Sequence, residues 1–400
     1  MERILSKEAH SYVSRSIRLA GWLHLIRRHG MVNFLHLRDG WGITQVVIES
    51  EETLKAIDGL LPESVLEVEG VLVAEPQAPG GIEIHDPKIT VISPVRELPA
   101  FPINKPALKA HLNTFLDHAA VGLRHLSKRA MFRLASGIMA AFRSILDQKG
   151  FVEITTPKIV GSATESGANV FPIDYFSQKA YLAQSPQFYK QIMVGVFERV
   201  YEVGPVFRAE PHDTTRHLNE YTSLDVEFGF IEDHTTVMAL LSEVVKGILT
   251  YLGTHYGKEL STLKMELPEV PETFPSIYFP DAQQLILDRF GEDCRGEPDL
   301  APQHERWLGE WAKEEYGSDF LFVTGYPMIK RPFYTHPDPA DPDYSNSFDL
   351  LFRGMELVTG GQRLHLYEDY ISALRRADLP FEPFAGYLEA FRYGMPPHGG

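Results

Sequence analysis

The stretch that decides the fold is residues 207–230. It reads Phe207-Arg-Ala-Glu210, a polar turn at 211–215, Arg216-His-Leu-Asn-Glu-Tyr221 and then an alternating run to Phe230. Two β-like segments joined by a polar loop predict a hairpin. Its arginines suit phosphate groups, and its aromatic ring suits the face of a nucleobase. Taken alone, the pattern is equally consistent with an exposed hairpin that carries solvated charges.

Four further blocks occur around this hairpin in a fixed order along the chain. They are Thr164-Glu-Ser-Gly-Ala168, Gln184-Ser-Pro-Gln-Phe-Tyr-Lys190, Ser347-Phe-Asp-Leu-Leu-Phe-Arg-Gly-Met-Glu356 running into Leu357-Val-Thr-Gly-Gly-Gln-Arg363, and Tyr393-Gly-Met-Pro-Pro-His-Gly-Gly400. With the hairpin as motif 2 and the last block as the start of motif 3, the chain resembles class II aminoacyl-tRNA synthetases. The His-Leu-Asn-Glu form resembles the archaeal-type aspartyl branch. The resemblance covers essentially the whole chain.

The N-terminal part has the pattern of a small β-barrel. Residues 1–98 contain five strand-like segments separated by Gly/Pro turns, at 17–26, 31–37, 44–49, 65–73 and 82–95. With a short helix at 51–60, they fit a five-stranded OB-fold barrel that binds single-stranded nucleotides. A generic small barrel is the alternative. We expect an anticodon-binding domain at 1–98, a hinge at 99–122 and a catalytic domain at 123–400.

The C-terminal part begins with a helical repeat. One stripe is formed by Leu126, Ala130, Leu134, Ile138, Phe142 and Leu146. Gly150 is a plausible stop, and a strand ending at Pro157 follows. By itself this is an ordinary core helix, but helix, strand and proline resemble motif 1, which implies a homodimer joined through 128–149. The rest lacks βαβ alternation and a Gly-rich phosphate loop, so the predicted class is α+β, with an antiparallel sheet flanked by helices.

Composition restricts the class of protein. A hydrophobic fraction of 44% supports a large core, and the single cysteine, Cys294, excludes a disulfide framework. We found no apolar run that predicts a membrane span, so we expect a cytoplasmic protein without membrane association. Because the net charge is −16, binding of the tRNA backbone requires local clusters of basic residues. The candidates are Arg27, Arg28, Arg38, Arg124, Lys128, Arg129 and Arg133.

Amino-acid activation sets the chemistry that the catalytic residues must perform. A substrate carboxylate, already ionised at neutral pH, attacks the α-phosphate of ATP, so the site needs positioning and positive charge and no general base. The resemblance assigns catalysis and α-phosphate binding to Arg208. It assigns ATP contacts to Glu210, Arg216, His217, Leu218, Tyr221 and Glu356, and Mg²⁺ binding to Asp349, Glu356 and Thr359.

Aspartate and asparagine differ in charge at nearly equal volume, so a charged pocket must separate them. The resemblance implies that Lys190 and Arg363 pair with the side-chain carboxylate, which distinguishes the chain from asparaginyl enzymes. Glu165 would take the substrate ammonium. The remaining aspartate-binding candidates are Gln187, Asp225 and Thr359.

Anticodon recognition is expected on the barrel. The resemblance implies that Phe34 and Gln45 stack on and hydrogen-bond the middle anticodon uracil, with Glu83 as a third reader. Where strict aspartyl enzymes carry Trp and Lys, the chain has His24 and Pro79. This favours relaxed charging of both tRNA(Asp) and tRNA(Asn), which share the middle base and differ at the third. A tRNA-dependent amidotransferase is a further partner that this reading allows.

The sequence stops inside motif 3, before an arginine that the family places along the nucleotide. We interpret this as truncation of a longer chain. Three alternatives stay open: an asparaginyl-tRNA synthetase, a noncatalytic RNA-binding paralogue, and a ligase that uses free ammonia.

Overall fold

A computed structural model describes residues 2–29, 32–161, 170–211 and 218–400. The chain divides into two compact units, Met1–Phe132 and Arg133–Gly400. The first unit therefore extends beyond the barrel, through the predicted hinge.

The first unit is built on a closed five-stranded barrel. Its strands are β1 (Ser16–His29), β2 (Val32–Arg38), β3 (Ile43–Ile48), β4 (Val65–Ala74) and β5 (Ile82–Ser93). The strand order is β1-β2-β3-β5-β4, with β3 and β5 parallel and the other neighbours antiparallel. Helix α1 (Glu51–Ala56) follows β3 and is capped by Ser50, whose hydroxyl accepts from the amide of Thr53. The predicted five-stranded OB-fold barrel is confirmed.

Side chains alternate between the two faces of each strand, and the inward-facing apolar ones fill the barrel. Leu35 and Leu37 on β2 point into the core, whereas Phe34 and His36 lie on the other face of the strand. Gly21 marks a close crossing of β1 and β2, because a Cβ there would lie 2.3 Å from the carbonyl oxygen of Arg38. The rest of the core comes from aliphatic residues, among them Ile17, Leu19, Val46, Leu66, Val68 and Ile84.

Arg38 corrects one expectation from the sequence. Its guanidinium donates to both carboxylate oxygens of Glu63, at 2.7 Å each, and both side chains are buried. Arg124 reaches the same carboxylate at 3.2 Å. Arg38 is therefore a buried structural partner within the barrel unit, and it is not an exposed contact for the tRNA backbone as we had expected.

Three helices follow the barrel: α2 (Leu112–Asp117), α3 (Ala119–Gly122) and α4 (Leu126–Gln148). Helix α4 starts in the first unit and continues into the second. It buries Ala130, Leu134, Phe142 and Leu146 of the predicted stripe. Gly150, just after it, has a φ of +78°, which suits glycine at the end of a helix.

The second unit contains an eight-stranded sheet and a three-stranded sheet. The strands are β6 (Val152–Glu153), β7 (Ile159–Val160), β8 (Pro172–Tyr175), β9 (Gln178–Leu182), β10 (Arg199–Phe207), β11 (Glu220–Gly229), β12 (Ser276–Tyr278), β13 (Phe320–Thr324), β14 (Ser347–Phe352), β15 (Met355–Arg363) and β16 (His398–Gly399). The large sheet has the order β12-β13-β14-β15-β16-β11-β10-β6, and the small one β7-β9-β8. Most neighbours are antiparallel; the pairs β6–β10 and β12–β13 are parallel. The α+β prediction is confirmed.

Seven further α-helices accompany these sheets in the described part of the chain. They are α5 (Gln187–Phe197), α6 (His234–His255), α7 (Gly257–Leu263), α8 (Phe279–Phe290), α9 (Pro302–Tyr316), α10 (Tyr367–Arg376) and α11 (Ala385–Arg392). Their apolar sides form separate cores with the large sheet. One core places Phe228 and Val244 beside Phe348, and another places Leu308 beside Val323.

Helix α6 is long and apolar enough to cross a membrane by length and composition alone, contrary to our expectation from the sequence. The same test is passed by core helices of globular proteins. Val237 and Val244 of α6 belong to the core of the second unit, and Leu240, Leu241 and Val245 pack against that core while partly buried.

Candidate active site and nucleic-acid interface

Strands β10 and β11 form the hairpin that the sequence predicted. Phe207 pairs with Glu220, and the backbone amide of Arg208 donates to the carbonyl of Asn219 at 2.9 Å. The Asn219 side-chain amide donates back to the Arg208 carbonyl at 3.1 Å. These bonds fix the backbone of Arg208 where the hairpin leaves the sheet.

Arg208, Leu218 and Tyr221 of the predicted nucleotide-binding set lie at this end of the hairpin. The guanidinium carbon of Arg208 is 5.9 Å from the ring centre of Tyr221, within the range of a cation–π contact. Leu218 is exposed. Arg216 and His217 lie outside the described residues, so their predicted roles stay predictions.

A buried network of charges joins α5, β11 and β15. Lys190, in the first turn of α5, has its Nζ 3.0 Å from Oδ1 of Asp225 and 3.6 Å from Oε2 of Glu227. The Nε of Arg363 on β15 donates to Oε1 of Glu227 at 3.1 Å. Gln187 completes the set, with its Nε2 3.5 Å from Oε2 of Glu227. The structure therefore brings four of the predicted aspartate-binding residues together.

Glu227 is the member of this network that we did not predict. It is fully buried and lies between the two cations. Burial lowers the pKa of Arg363, but the charge and hydrogen bond of Glu227, together with the nearby Tyr334 and Tyr370, outweigh this, and the net shift is upward. A signal was present in the sequence: Ser223, Asp225 and Glu227 alternate along β11 and therefore share one face of the strand.

A pair of carboxylates lies on the neighbouring strands β14 and β15. Asp349 is buried and pairs across the ladder with Thr359, whose hydroxyl donates to Oε1 of Glu356 at 2.7 Å. Arg331, which we did not single out, contacts Oδ1 of Asp349 at 3.0 Å. It precedes β14 in a segment where the sequence shows no motif.

The electrostatics of this pair suit a cation. Glu356 keeps an accessible face, yet the protein around it displaces enough water to raise its pKa, and the negative charge of Asp349 adds to this rise. Two carboxylates that repel each other would be relieved by a divalent ion. Among the described residues, no group of three or more His, Cys, Asp or Glu side chains is arranged as a metal site. Mg²⁺ needs only one or two carboxylates when phosphate oxygens supply other ligands.

The barrel carries the predicted base-reading residues on one face. Phe34 and His36 lie on β2, Gln45 lies opposite His36 on β3, and Glu83 lies beside Gln45 on β5. The side-chain amide of Gln45 donates to Oε2 of Glu83 at 2.9 Å. Phe34 and Gln45 are half-buried, so both remain accessible to a ligand.

His24 and Pro79 occupy different environments within the barrel unit. His24 sits at an irregularity in β1 between Leu23 and Leu25, and it is only 5% exposed. Burial, followed by the positive charge of Arg38, lowers its pKa to about 4. Pro79 is half-buried at the start of the turn before β5. Their predicted effect on the third anticodon base stays a prediction, as does the role of Glu165, which lies outside the described residues.

Two family descriptions match this arrangement. Residues 111–400 match tRNA synthetases class II (D, K and N), and residues 17–92 match the OB-fold nucleic acid binding domain. The chain belongs to the class II tRNA synthetase family. The predictions of the family, the fold and an ATP-dependent aminoacyl-tRNA synthetase are confirmed.

Characterised relatives narrow the class further. The chain is 44% identical over its whole length to an aspartate–tRNA(Asp/Asn) ligase of Thermus thermophilus, of which 92% is covered. It is 46% identical to the protein of that name from Deinococcus radiodurans, again over all of this chain and 92% of the relative. These relatives support the predicted aspartate–tRNA ligase function.

A solved structure with a similar fold is that of an enzyme specific for a related amino acid, asparagine. It is the asparaginyl-tRNA synthetase from Pyrococcus horikoshii in complex with asparaginyl-adenylate, with a TM-score of 0.91 and 30% identity. The match covers all of this chain and 92% of that one. Because the fold is shared with an enzyme specific for asparagine, amino-acid specificity has to be argued from side chains in the pocket.

Proposed function

We propose that this aspartate–tRNA ligase activates L-aspartate with ATP and transfers it to both tRNA(Asp) and tRNA(Asn). The observation that carries the choice of amino acid is the pair of buried cations, Lys190 and Arg363, joined through Glu227. A carboxylate that binds beside these cations accepts charge-assisted hydrogen bonds from them. The asparagine amide is neutral, and its NH₂ group can only donate.

The buried network also sets the size of the discrimination. Lys190, Asp225, Glu227 and Arg363 balance two positive charges with two negative ones. An aspartate side chain would take hydrogen bonds from the cations, with Asp225 and Gln187 completing the network around it, while Glu165 would receive the substrate ammonium. A buried ion left without its partner costs about 3–5 kcal/mol, which corresponds to two to three decades of selectivity.

The ATP-binding half of the site uses the hairpin. Arg208 would contact the α-phosphate, Glu210 the adenine amino group, and Tyr221 the face of the ring. Arg216 and His217 would contact the γ-phosphate. Because the attacking carboxylate is ionised, these residues act by placing the reactants in line and by stabilising charge on the phosphate.

Mg²⁺ fits the acidic pair that Asp349 and Glu356 form. The partial loss of water around Glu356, followed by the negative charge of Asp349, raises the pKa of Glu356, and a cation would relieve the repulsion between the two carboxylates. Thr359 holds the Glu356 carboxylate through its hydroxyl. A bound Mg²⁺ would neutralise phosphate charge, and Arg331 would share Asp349 with it.

Relaxed tRNA choice is supported by the names of the relatives, which include both tRNA(Asp) and tRNA(Asn). We propose that Phe34 stacks on the middle anticodon uracil and that Gln45 and Glu83 bind its edge. Stacking and edge hydrogen bonds are the general means of reading unpaired RNA bases. We further propose a cytoplasmic location and, where tRNA(Asn) receives aspartate, an amidotransferase partner that converts the product.

The direct test is pyrophosphate exchange with aspartate and asparagine side by side. Aspartate should support exchange, and Arg208→Ala should slow it at least about a hundredfold, because one preorganised charge donor at a transition state contributes about 3 kcal/mol. Arg199→Ala is a matched control, since Arg199 is exposed and starts β10, the strand that ends just before Arg208. A near-normal rate for Arg208→Ala would remove this residue from the mechanism. Exchange with asparagine in place of aspartate would favour the asparaginyl alternative.

A homodimer is also proposed, through α4 and the strand that ends before Pro157. Strand β6 lies at the edge of the large sheet and is exposed, which leaves one side open for a partner. Met131 and Phe132 on α4 are exposed as well. Sedimentation should show a dimer at micromolar concentration, and a stable, active monomer would contradict the proposal.

A further inference from the structure

A chain of four hydrogen-bonded side chains crosses the reading face of the barrel. Nε2 of His36 lies 3.1 Å from Oε1 of Gln45, and Nε2 of Gln45 donates to Oε2 of Glu83 at 2.9 Å. Nε2 of His85 lies 2.7 Å from the other oxygen of Glu83. The two histidines therefore flank the residues proposed to bind the base, and the proposed function gives neither of them a role.

The hydrogen-bond donors and acceptors of these four side chains can be assigned in one way only. A carboxylate accepts and cannot donate, so the atom of Gln45 that faces Glu83 must be its nitrogen. The oxygen of Gln45 then faces His36, which must donate from Nε2. His85 must donate to Glu83 in the same manner.

Burial makes this arrangement costly to reverse. His36 is 4% exposed and Glu83 is 8% exposed, so water is largely unavailable to replace a lost bond. Burial lowers the pKa of His36, and the charge of Arg27 adds to this, while the bond to Gln45 opposes it. A rotation of the Gln45 amide by 180° would place its oxygen against the Glu83 carboxylate and its NH₂ against the donor of His36. Both contacts would be unfavourable.

The orientation of an amide decides which pyrimidine it can pair with. Uracil presents a carbonyl acceptor beside its N3–H donor, and one orientation of a glutamine amide matches both. Cytosine presents an amino donor beside an N3 acceptor, so it requires the amide in the opposite orientation. A fixed amide can therefore distinguish the two bases, whereas a freely rotating amide can pair with either.

We infer that His36 is a positioning residue that, together with Glu83, fixes the Gln45 amide in the orientation that accepts a middle anticodon uracil and rejects cytosine. This inference rests on the proposed reading of that base by Gln45. His36 acts through Gln45 and does not itself contact the tRNA. His85 supports the same orientation from the far side by occupying the second oxygen of Glu83.

The test uses tRNA(Asp) transcripts with uracil or cytosine at the middle anticodon position. His36→Leu removes the donor, and His36→Gln keeps an N–H close to the position of Nε2. We expect His36→Leu to narrow the uracil-to-cytosine ratio of kcat/KM about tenfold, chiefly through KM for the tRNA, and His36→Gln to restore most of it. Each rate is divided by the pyrophosphate-exchange rate of the same preparation.

Two further variants keep the test decisive. Glu83→Gln preserves size but can donate or accept, so it should relax the ratio even if His36→Leu fails to fold. His10→Leu changes an exposed histidine of the same unit and should leave the ratio unchanged. If the unmodified enzyme does not distinguish uracil from cytosine, the proposed anticodon reading fails. If it does distinguish them and His36→Leu distinguishes them equally well, the reading stands and the role of His36 is refuted. If His36→Leu does not fold, an unchanged ratio for Glu83→Gln refutes the fixed orientation of the Gln45 amide.

Discussion

The amino-acid pocket and the reading face of the barrel recognise their ligands by different physical means. In the pocket, Lys190 and Arg363 are full charges held by the buried carboxylate of Glu227. On the barrel, Gln45 is a neutral amide whose direction is set by its neighbours. The pocket separates two side chains of nearly equal shape by charge. The barrel separates bases by the order of donors and acceptors.

Recognition by charge and recognition by neutral hydrogen bonds differ in how much free energy each can contribute. An uncompensated buried charge costs about 3–5 kcal/mol, whereas a neutral hydrogen bond contributes about 0.5–1.5 kcal/mol. Charge therefore suits the strict discrimination between aspartate and asparagine. A hydrogen-bond network suits the middle anticodon base, which tRNA(Asp) and tRNA(Asn) share.

The largest expected effect follows from removing one pocket cation. Lys190→Met should lower kcat/KM for aspartate in pyrophosphate exchange by two to three decades, because Asp225 and Glu227 lose their compensating charge at a cost of about 3–5 kcal/mol. Lys179→Met is the matched control, since the side chain of Lys179 is 65% exposed in an ion pair with Asp174. A loss below about fivefold for Lys190→Met would place aspartate recognition elsewhere and remove the contrast with the barrel.

The two regions also differ in how much the sequence could reveal. The barrel strands were predicted to within about four residues at each end, because alternation and Gly/Pro turns are local signals. Lys190 and Arg363 were found through motifs. Glu227 was missed because its importance depends on two partners, one in α5 and one in β15, that only the folded sheet brings to it. His36 and His85 were missed for the same reason.

A middle-sized effect is expected from the buried imidazole of the barrel. The pKa of His24 is about 4 in the folded state against 6.5 ordinarily, so the unfolded chain binds the extra proton between these values. Stability of the barrel should therefore be complete above about pH 6.5 and should fall as the pH drops towards 4, by at most about 3 kcal/mol. No loss is expected on raising the pH.

Hydrogen exchange of barrel peptides measures this effect separately from the second unit. Between pH 7 and pH 5, the wild type should lose more protection in β1 and β2 than His24→Gln, which cannot titrate. Comparing the two proteins at each pH cancels the intrinsic pH dependence of exchange. Equal losses would show that His24 does not titrate on unfolding.

The smallest expected effect concerns the third anticodon base and tests how far the barrel tolerates two tRNAs. Pro79 is half-buried at the start of the turn before β5, whereas His24 is buried, so an indole at position 24 would need the surrounding core to move. Pro79→Lys is therefore the cleaner change.

We expect Pro79→Lys to lower charging of tRNA(Asn) relative to tRNA(Asp) by about threefold to tenfold, or at most about 1.4 kcal/mol, because a new cation at the rim distinguishes two bases that the neutral proline treats alike. Pro79→Ala, which adds no charge, is the control. If the unmodified enzyme charges tRNA(Asp) alone, the relaxed reading is wrong, and aspartate recognition by Lys190 and Arg363 is unaffected.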